Sequence, residues 1–203
     1  MAIFSMRTRN KLANYALTAL VAVAALVLQV GVLNNFPVHG VYCNLPLTLV
    51  IVWGAVFGSP LPPITPDELR MSTTGEIFAR QVASGSFIGL LAGAFLSALY
   101  APMIPVFPVY LPVAGWAAGY FCLRNINRQN LLCIPLTFVL TLAAETIMAW
   151  QLSMTGRSGV FDQLMQIAVP EASLNALIAP FIYFPMRRWY EFSRSVRVQR
   201  ERY

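Results

Sequence analysis

Long apolar runs dominate this sequence and constrain its fold more than any other feature. Six of them lie at about residues 12–33, 41–59, 81–101, 106–123, 130–152 and 170–190. A helix needs about 20 predominantly apolar residues to cross the hydrocarbon core of a bilayer. Two runs are marginal, because 41–59 contains Asn44 and Pro46 and because 106–123 begins among prolines. The runs predict an all-α integral membrane protein with six transmembrane helices.

The composition excludes an ordinary water-soluble globule. Hydrophobic residues make up 58% of the chain and charged residues only 11%. A typical soluble domain is about 45–50% apolar and about 25% charged. The chain lacks the polar surface that such a domain needs. Its 203 residues fit one six-helix membrane domain over residues 1–203.

Basic residues are concentrated in alternate loops, which predicts the orientation of the helices. Of the 14 Lys and Arg residues, 13 precede the first run, lie at or beyond the C-terminal end of the last, or lie between the second and third or the fourth and fifth. Only Arg157 lies elsewhere. Cytoplasmic loops carry an excess of Lys and Arg. We therefore expect both termini in the cytoplasm, with Arg187 and Arg188 marking the cytoplasmic end of the last helix.

Topology also accounts for the net charge of +6, which therefore does not indicate a nucleic-acid partner. The basic cytoplasmic tail, residues 191–203, mixes aromatic residues with arginines. Such a segment can continue the last helix along the membrane surface, attracted by the anionic lipids of the bilayer. It can equally serve only to fix the orientation of that helix, and the sequence leaves both interpretations open.

Small residues recur at four-residue intervals in three of the runs. Because such a row forms a smooth groove on one helix face, another helix can approach closely. We expect these grooves to pack against one another inside the bundle, although a groove for a partner helix remains the alternative. The rows are Gly54 and Gly58; Gly85, Gly89, Gly93 and Ser97; and Gly115 and Gly119.

Two polar residues interrupt the later apolar runs. Glu145 is the only acidic residue that we place deep within a predicted span, and Asn175 lies near the start of the sixth span. A carboxyl group in hydrocarbon is costly unless it faces the bundle interior or a polar partner. We expect Glu145 to be neutral or hydrogen-bonded and structural, with a proton or substrate role as the alternative. We expect Asn175 to hydrogen-bond a neighbouring helix.

The sequence lacks the usual signatures of catalysis. It contains no evident nucleophile–base pair, phosphate-binding glycine loop or cluster of metal ligands, and Cys43, Cys122 and Cys133 are far apart. We therefore predict no enzyme, no catalytic residue, no metal site and no cofactor. A scaffold or a small-molecule binding protein is the favoured class.

The last apolar run contains the pattern Asn-Ala-Leu-x-Ala-Pro-x-x-Tyr followed by a basic pair. Its residues are Asn175, Ala176, Leu177, Ala179, Pro180 and Tyr183, followed by Arg187 and Arg188. This pattern resembles the typical last helix of the MreD family of rod-shape-determining membrane proteins. The single acid of the fifth span, Glu145, and the Leu28-Gln29 end of the first span are also similar. The chain departs from the family at Ser97, where an Asp is common.

The resemblance implies a non-enzymatic, multi-pass scaffold in the bacterial inner membrane that supports cell shape and lateral peptidoglycan synthesis during cell-wall elongation. Its partner would be a bitopic protein of the MreC type, with MreB-like filaments and wall-synthesis enzymes reached indirectly. The family's fold is similar to the substrate-binding subunits of energy-coupling-factor transporters. A vitamin-binding subunit of such a transporter is therefore the alternative, and it would need a polar-lined pocket open to the outside.

Overall fold

A computed structural model of the protein describes residues 16, 19–38, 40–57, 73, 87–99, 107–125, 132–156 and 159–200. For residues 87, 107, 120–125, 161–163 and 192–200 it describes the backbone alone. Gly58, Gly85 and the last three residues of the basic tail lie outside the described residues.

Helices make up almost all of the described chain. We number them α1 (residues 19–31), α2 (Leu45–Phe57), α3 (Phe87–Leu99), α4 (Phe107–Asn125), α5 (Cys133–Met154) and α6 (Val160–Arg200). A short 3-10 turn at Leu33–Asn35 follows α1. The described ranges contain no β-strand, and their single extended feature is an isolated bridge between Val38 and Val41. The all-α prediction is confirmed for this part of the chain.

Two of the helices are long and apolar enough to cross a membrane. They are Cys133–Met154 and the segment Leu164–Glu191 of α6. Only 33% of the most apolar window of each is buried inside the protein, whereas the core helix of a soluble protein is mostly buried. The described parts of the helices Ala19–Asn35, Leu45–Phe57 and Ile88–Leu99 are apolar but shorter.

The sixth helix differs most from its predicted bounds. We predicted a span over 170–190, but α6 begins at Val160 and continues through Pro170, Pro180 and Pro185 to Arg200. A proline removes one backbone donor and crowds the preceding turn, but helices packed in membrane proteins tolerate it. Residues 191–200 of the tail thus continue α6. This is what the first interpretation of the tail, as an extension of the last helix, requires.

Helix α2 forms the centre of the bundle. Its residues from Pro46 to Val56 are all buried, and it packs against α3, α4, α5 and α6. A helix that is apolar on every side needs other helices around it. The principal core adds Ala22 and Ala25 from α1, so that helix also packs on the bundle. Each surrounding helix exposes large apolar side chains, such as Leu20, Phe95 and Phe181.

Glycines bring α2, α3 and α4 into close contact. A Cβ atom added at Gly89 would collide with the carbonyl oxygen of Gly115 and the Cα atom of Gly54. One added at Gly93 would collide with the backbone of Leu111. The absence of side chains therefore lets the three backbones touch. The described parts of the predicted glycine grooves are thus covered by neighbouring helices of the same chain.

Candidate functional site

Buried and half-buried polar side chains meet where α1, the segment 40–44, α5 and α6 converge. We call this set of six residues the polar cluster: Gln29, Asn44, Thr141, Glu145, Glu171 and Asn175. The charge pattern predicts that the segment 40–44, at the start of the second run, lies on the outer side. Polar groups removed from water must satisfy one another, and this requirement explains why the cluster is so closely connected.

Asn175 lies at the centre of the polar cluster and is fully buried. Its Oδ1 atom accepts hydrogen bonds from the backbone N–H of Asn44 at 2.8 Å and from the Cys43 thiol at 3.1 Å. Its Nδ2 group donates to Thr141 Oγ1 at 3.4 Å. One amide therefore connects α6 to α5 and to the residues that precede α2. The bond to Thr141 on α5 is the kind of contact with a neighbouring helix that we expected of Asn175.

Gln29 holds the segment before α2 from the opposite side. Its Nε2 group donates to the Cys43 carbonyl oxygen and to Asn34 Oδ1, both at 2.8 Å. Its Oε1 atom accepts the backbone N–H of Leu45, also at 2.8 Å. Gln29 is only 3% exposed. The amide thus supplies hydrogen bonds to the backbone groups of Cys43 and Leu45, which would otherwise lack them.

Asn44 caps the N-terminus of α2. Its Oδ1 atom accepts the backbone N–H of Leu47 at 3.2 Å, three residues along the chain. This is the arrangement in which an Asn before the first helical residue satisfies an otherwise unpaired backbone donor. Its side chain also hydrogen-bonds Glu171. Asn44 therefore marks the start of α2. It is not a polar residue inside a helix, as the predicted run 41–59 implied.

Glu145 has an acidic partner that the sequence analysis missed. Its side chain is 4% exposed and hydrogen-bonds the side chain of Glu171. The interpretation of Glu145 as the only acid deep within a span is therefore wrong. Because α6 begins at Val160, Glu171 lies well inside that helix. The available signal was its spacing, since Glu171 and Asn175 are four residues apart and share a helix face.

The two carboxyl groups must share a proton. A carboxylate has no donor, so a hydrogen bond between two carboxyl groups requires one of them to be protonated and to donate its O–H to the other. Two buried negative charges at this separation would also repel strongly. The pair therefore carries at most one negative charge. No Lys or Arg belongs to the polar cluster as the structure describes it.

Glu145→Gln is expected to leave expression and the thermal stability of the purified protein nearly unchanged. The glutamine amide can donate to the Glu171 carboxylate in place of the shared proton. Glu145→Leu removes this hydrogen bond and should lower stability by about 1–3 kcal/mol. Thermal unfolding of the two variants in detergent checks the prediction. Equal losses of stability in both variants would contradict it.

A cavity of about 410 Å³ opens beside the polar cluster. It lies between the end of α1, the segment 40–44 and α6. Its lining consists of Gln29, Asn34, Gly40, Val41, Tyr42, Cys43, Asn44, Ile167 and Glu171. Pockets that bind small molecules are typically about 300–1,000 Å³ and combine apolar walls with a few polar groups. The cavity matches both properties.

The remaining predicted residues lie away from the cavity. Ser97 is buried and donates its hydroxyl to the Gly93 carbonyl oxygen at 2.7 Å, within α3. Gly119 is buried in α4. Arg187 forms an ion pair with Glu191 at 2.8 Å, one turn farther along α6. Arg188 is exposed on the same helix. Among the described residues, no group of three or more His, Cys, Asp or Glu side chains could hold a metal ion.

Comparison of this chain with family models, curated proteins and solved structures finds no match.

Proposed function

We propose that this chain is a non-enzymatic scaffold of the MreD type, which supports lateral cell-wall synthesis by binding an MreC-like bitopic protein. In this proposal all six helices cross the bacterial inner membrane, with both termini in the cytoplasm. MreB-like filaments and the wall-synthesis enzymes are reached through the bitopic partner. The exposed apolar faces of the surrounding helices, which would contact lipid, support the membrane location.

The observation that carries the proposal is the packing of the motif residues of the last helix. Asn175, Ala176, Ala179 and Tyr183 are each no more than 5% exposed. Ala179 and Tyr183 pack in one cluster with Val52, Val56 and Cys133, from α2 and α5. The residues that carry the family resemblance therefore hold α6 against the bundle. Such a motif suits a protein whose task is to present a rigid surface.

One residue of the motif faces away from the bundle. Leu177 is 65% exposed, and Phe181, one turn along, is 80% exposed. Exposed apolar side chains occur on the other helices too, but Leu177 belongs to the motif that carries the family resemblance. Residues four positions apart lie on one face of a helix, so Leu177 and Phe181 together form an apolar strip. We assign this strip of α6 to the single transmembrane helix of the MreC-like partner, because the described glycines Gly54, Gly89, Gly93 and Gly115 are covered within the chain.

Affinity purification of the tagged protein from detergent-solubilised membranes, followed by mass spectrometry, tests the proposal. We expect recovery of an MreC-like bitopic protein together with wall-synthesis enzymes. The substitution Leu177→Ala should reduce the recovered partner severalfold without lowering the stability of the protein. Leu20→Ala is the matched control, since Leu20 is 66% exposed on α1. Equal partner recovery with both variants would refute the assigned strip.

The cavity specifically favours one second candidate, the vitamin-binding subunit of an energy-coupling-factor-type transporter. Such a subunit needs a polar-lined pocket on its outer side, and Gln29, Asn34, Asn44 and Glu171 line this one. The same purification separates the two functions. Recovery of an ATPase transport module in place of wall-elongation proteins would establish the second candidate and exclude the first.

A further inference from the structure

The cavity beside the polar cluster is lined by hydrogen-bonding groups that are largely occupied. Gln29 uses its amide on Asn34, Cys43 and Leu45. Asn44 uses its own amide on Leu47 and Glu171. These side chains hold the cavity wall in place, and they have little capacity left for a ligand.

Glu171 is the lining group with acceptor capacity to spare. A carboxyl group offers about four lone-pair positions, and Asn44 and Glu145 account for two contacts. The carboxyl pair carries at most one negative charge, and Glu171 is the member that lines the cavity. The nine described residues that line the cavity include no Lys, Arg or His. Because an opposite charge nearby favours the ionised form of a carboxyl group, a cation that enters the cavity would be held by the ionised pair.

The rest of the lining selects what kind of cation fits. Among the described residues, no group of three or more His, Cys, Asp or Glu side chains could hold a metal ion here. Val41, Tyr42 and Ile167 supply apolar surface at the cavity wall. An organic amine would place its ammonium group at the carboxyl pair and its carbon skeleton against this surface. Hydrogen bonds between an ammonium group and a carboxylate are among the stronger ones in proteins.

We propose that this cavity binds a small molecule through a primary ammonium group, with Glu171 as its counter-ion. The cavity volume of about 410 Å³ admits a compact amine. Two sources share this chemistry: a free amine from outside the cell and the ethanolamine headgroup of a membrane lipid. The proposal stands apart from the scaffold function, because binding is measured on the isolated full-length protein.

Native mass spectrometry and thermal unfolding of the purified protein provide the test. One arm adds soluble primary amines (ethanolamine, putrescine and phenethylamine), each beside the alcohol that replaces its amine by a hydroxyl. The other arm compares bilayer nanodiscs of phosphatidylglycerol alone with nanodiscs that also contain phosphatidylethanolamine. We expect saturable binding of an amine over its alcohol, or retention of phosphatidylethanolamine over phosphatidylglycerol. The arm that responds identifies the source, and no preference in either arm overturns the proposal.

Matched variants connect the binding to Glu171. Glu171→Gln keeps the size of the side chain and its acceptor for Asn44 but removes the charge, so we expect a loss of affinity of about tenfold or more. Glu191→Gln should retain binding, because it removes an exposed carboxylate of the same helix that does not line the cavity. Ile167→Trp should also weaken binding, since that side chain is 45% exposed at the cavity wall and has room to enlarge. Unchanged affinity in Glu171→Gln, with the protein still folded, would refute the assignment.

Discussion

Alanine at Gly89 is expected to destabilise the protein strongly, because the added methyl group would meet the backbones of two neighbouring helices at once. The added Cβ atom would collide with the backbone of Gly115 on α4 and with that of Gly54 on α2. Backbone atoms cannot move aside as a flexible side chain can, so three helices must separate. Overpacking of a core costs about 1–3 kcal/mol and occasionally more. We expect the upper end of this range, a fall in melting temperature of roughly 6–12 °C.

Gly31→Ala is the matched control for this experiment. Gly31 also lies in a helix, but a Cβ atom there would meet nothing within 4 Å. Alanine is a better helix former than glycine by about 1 kcal/mol. The control should therefore unfold at the same temperature as the natural protein or slightly above it. Equal melting temperatures for the two variants would show that the glycine contact contributes nothing to stability.

The second large effect is expected for Asn175→Ala. The substitution leaves the backbone N–H of Asn44, the Cys43 thiol and Thr141 without their present hydrogen-bond partner. Each unsatisfied buried group costs about 1–3 kcal/mol. We expect a total loss of about 3 kcal/mol or more, because the site is fully buried and the new cavity adds to the cost. Thermal unfolding in detergent measures the loss.

Asn35→Ala serves as the control for the loss of an amide. Asn35 is exposed, and its side chain donates one hydrogen bond to the Gly31 carbonyl oxygen at 2.9 Å. Water can replace that bond, so the cost should stay below about 1 kcal/mol. If Asn175→Ala proves no more costly than this control, the polar cluster does not hold α6 to the segment before α2.

The sequence allowed the helices to be located because apolar length and glycine spacing are local properties. Helices α2 to α5 each lie within or close to a predicted run. The extent of α6 was harder to predict, because its first turns include Asp162 and Gln166 and resemble a loop. Prolines at 170, 180 and 185 also suggested interruptions, and tertiary packing overrides them.

The polar cluster was only half visible in the sequence. Asn175 and Glu145 stood out because they interrupt apolar runs. Glu171 was read as part of the segment at the start of the last span, so its contact with Glu145 was missed. That contact joins residues 26 positions apart on two helices, and no local pattern reports such a pairing. The same holds for Gln29, whose role depends on the path of the chain between α1 and α2.

Six spans with both termini inside are the central claim, because they place the cavity outside and the basic tail in the cytoplasm. Single cysteines labelled on intact cells with a membrane-impermeant maleimide test it directly. The three native cysteines are first replaced by serine. We predict labelling at positions Val38 and Ser158, and none at Ser72 or Gln129 until the membrane is permeabilised. Labelling of Ser72 from outside the intact cell would contradict the proposed topology.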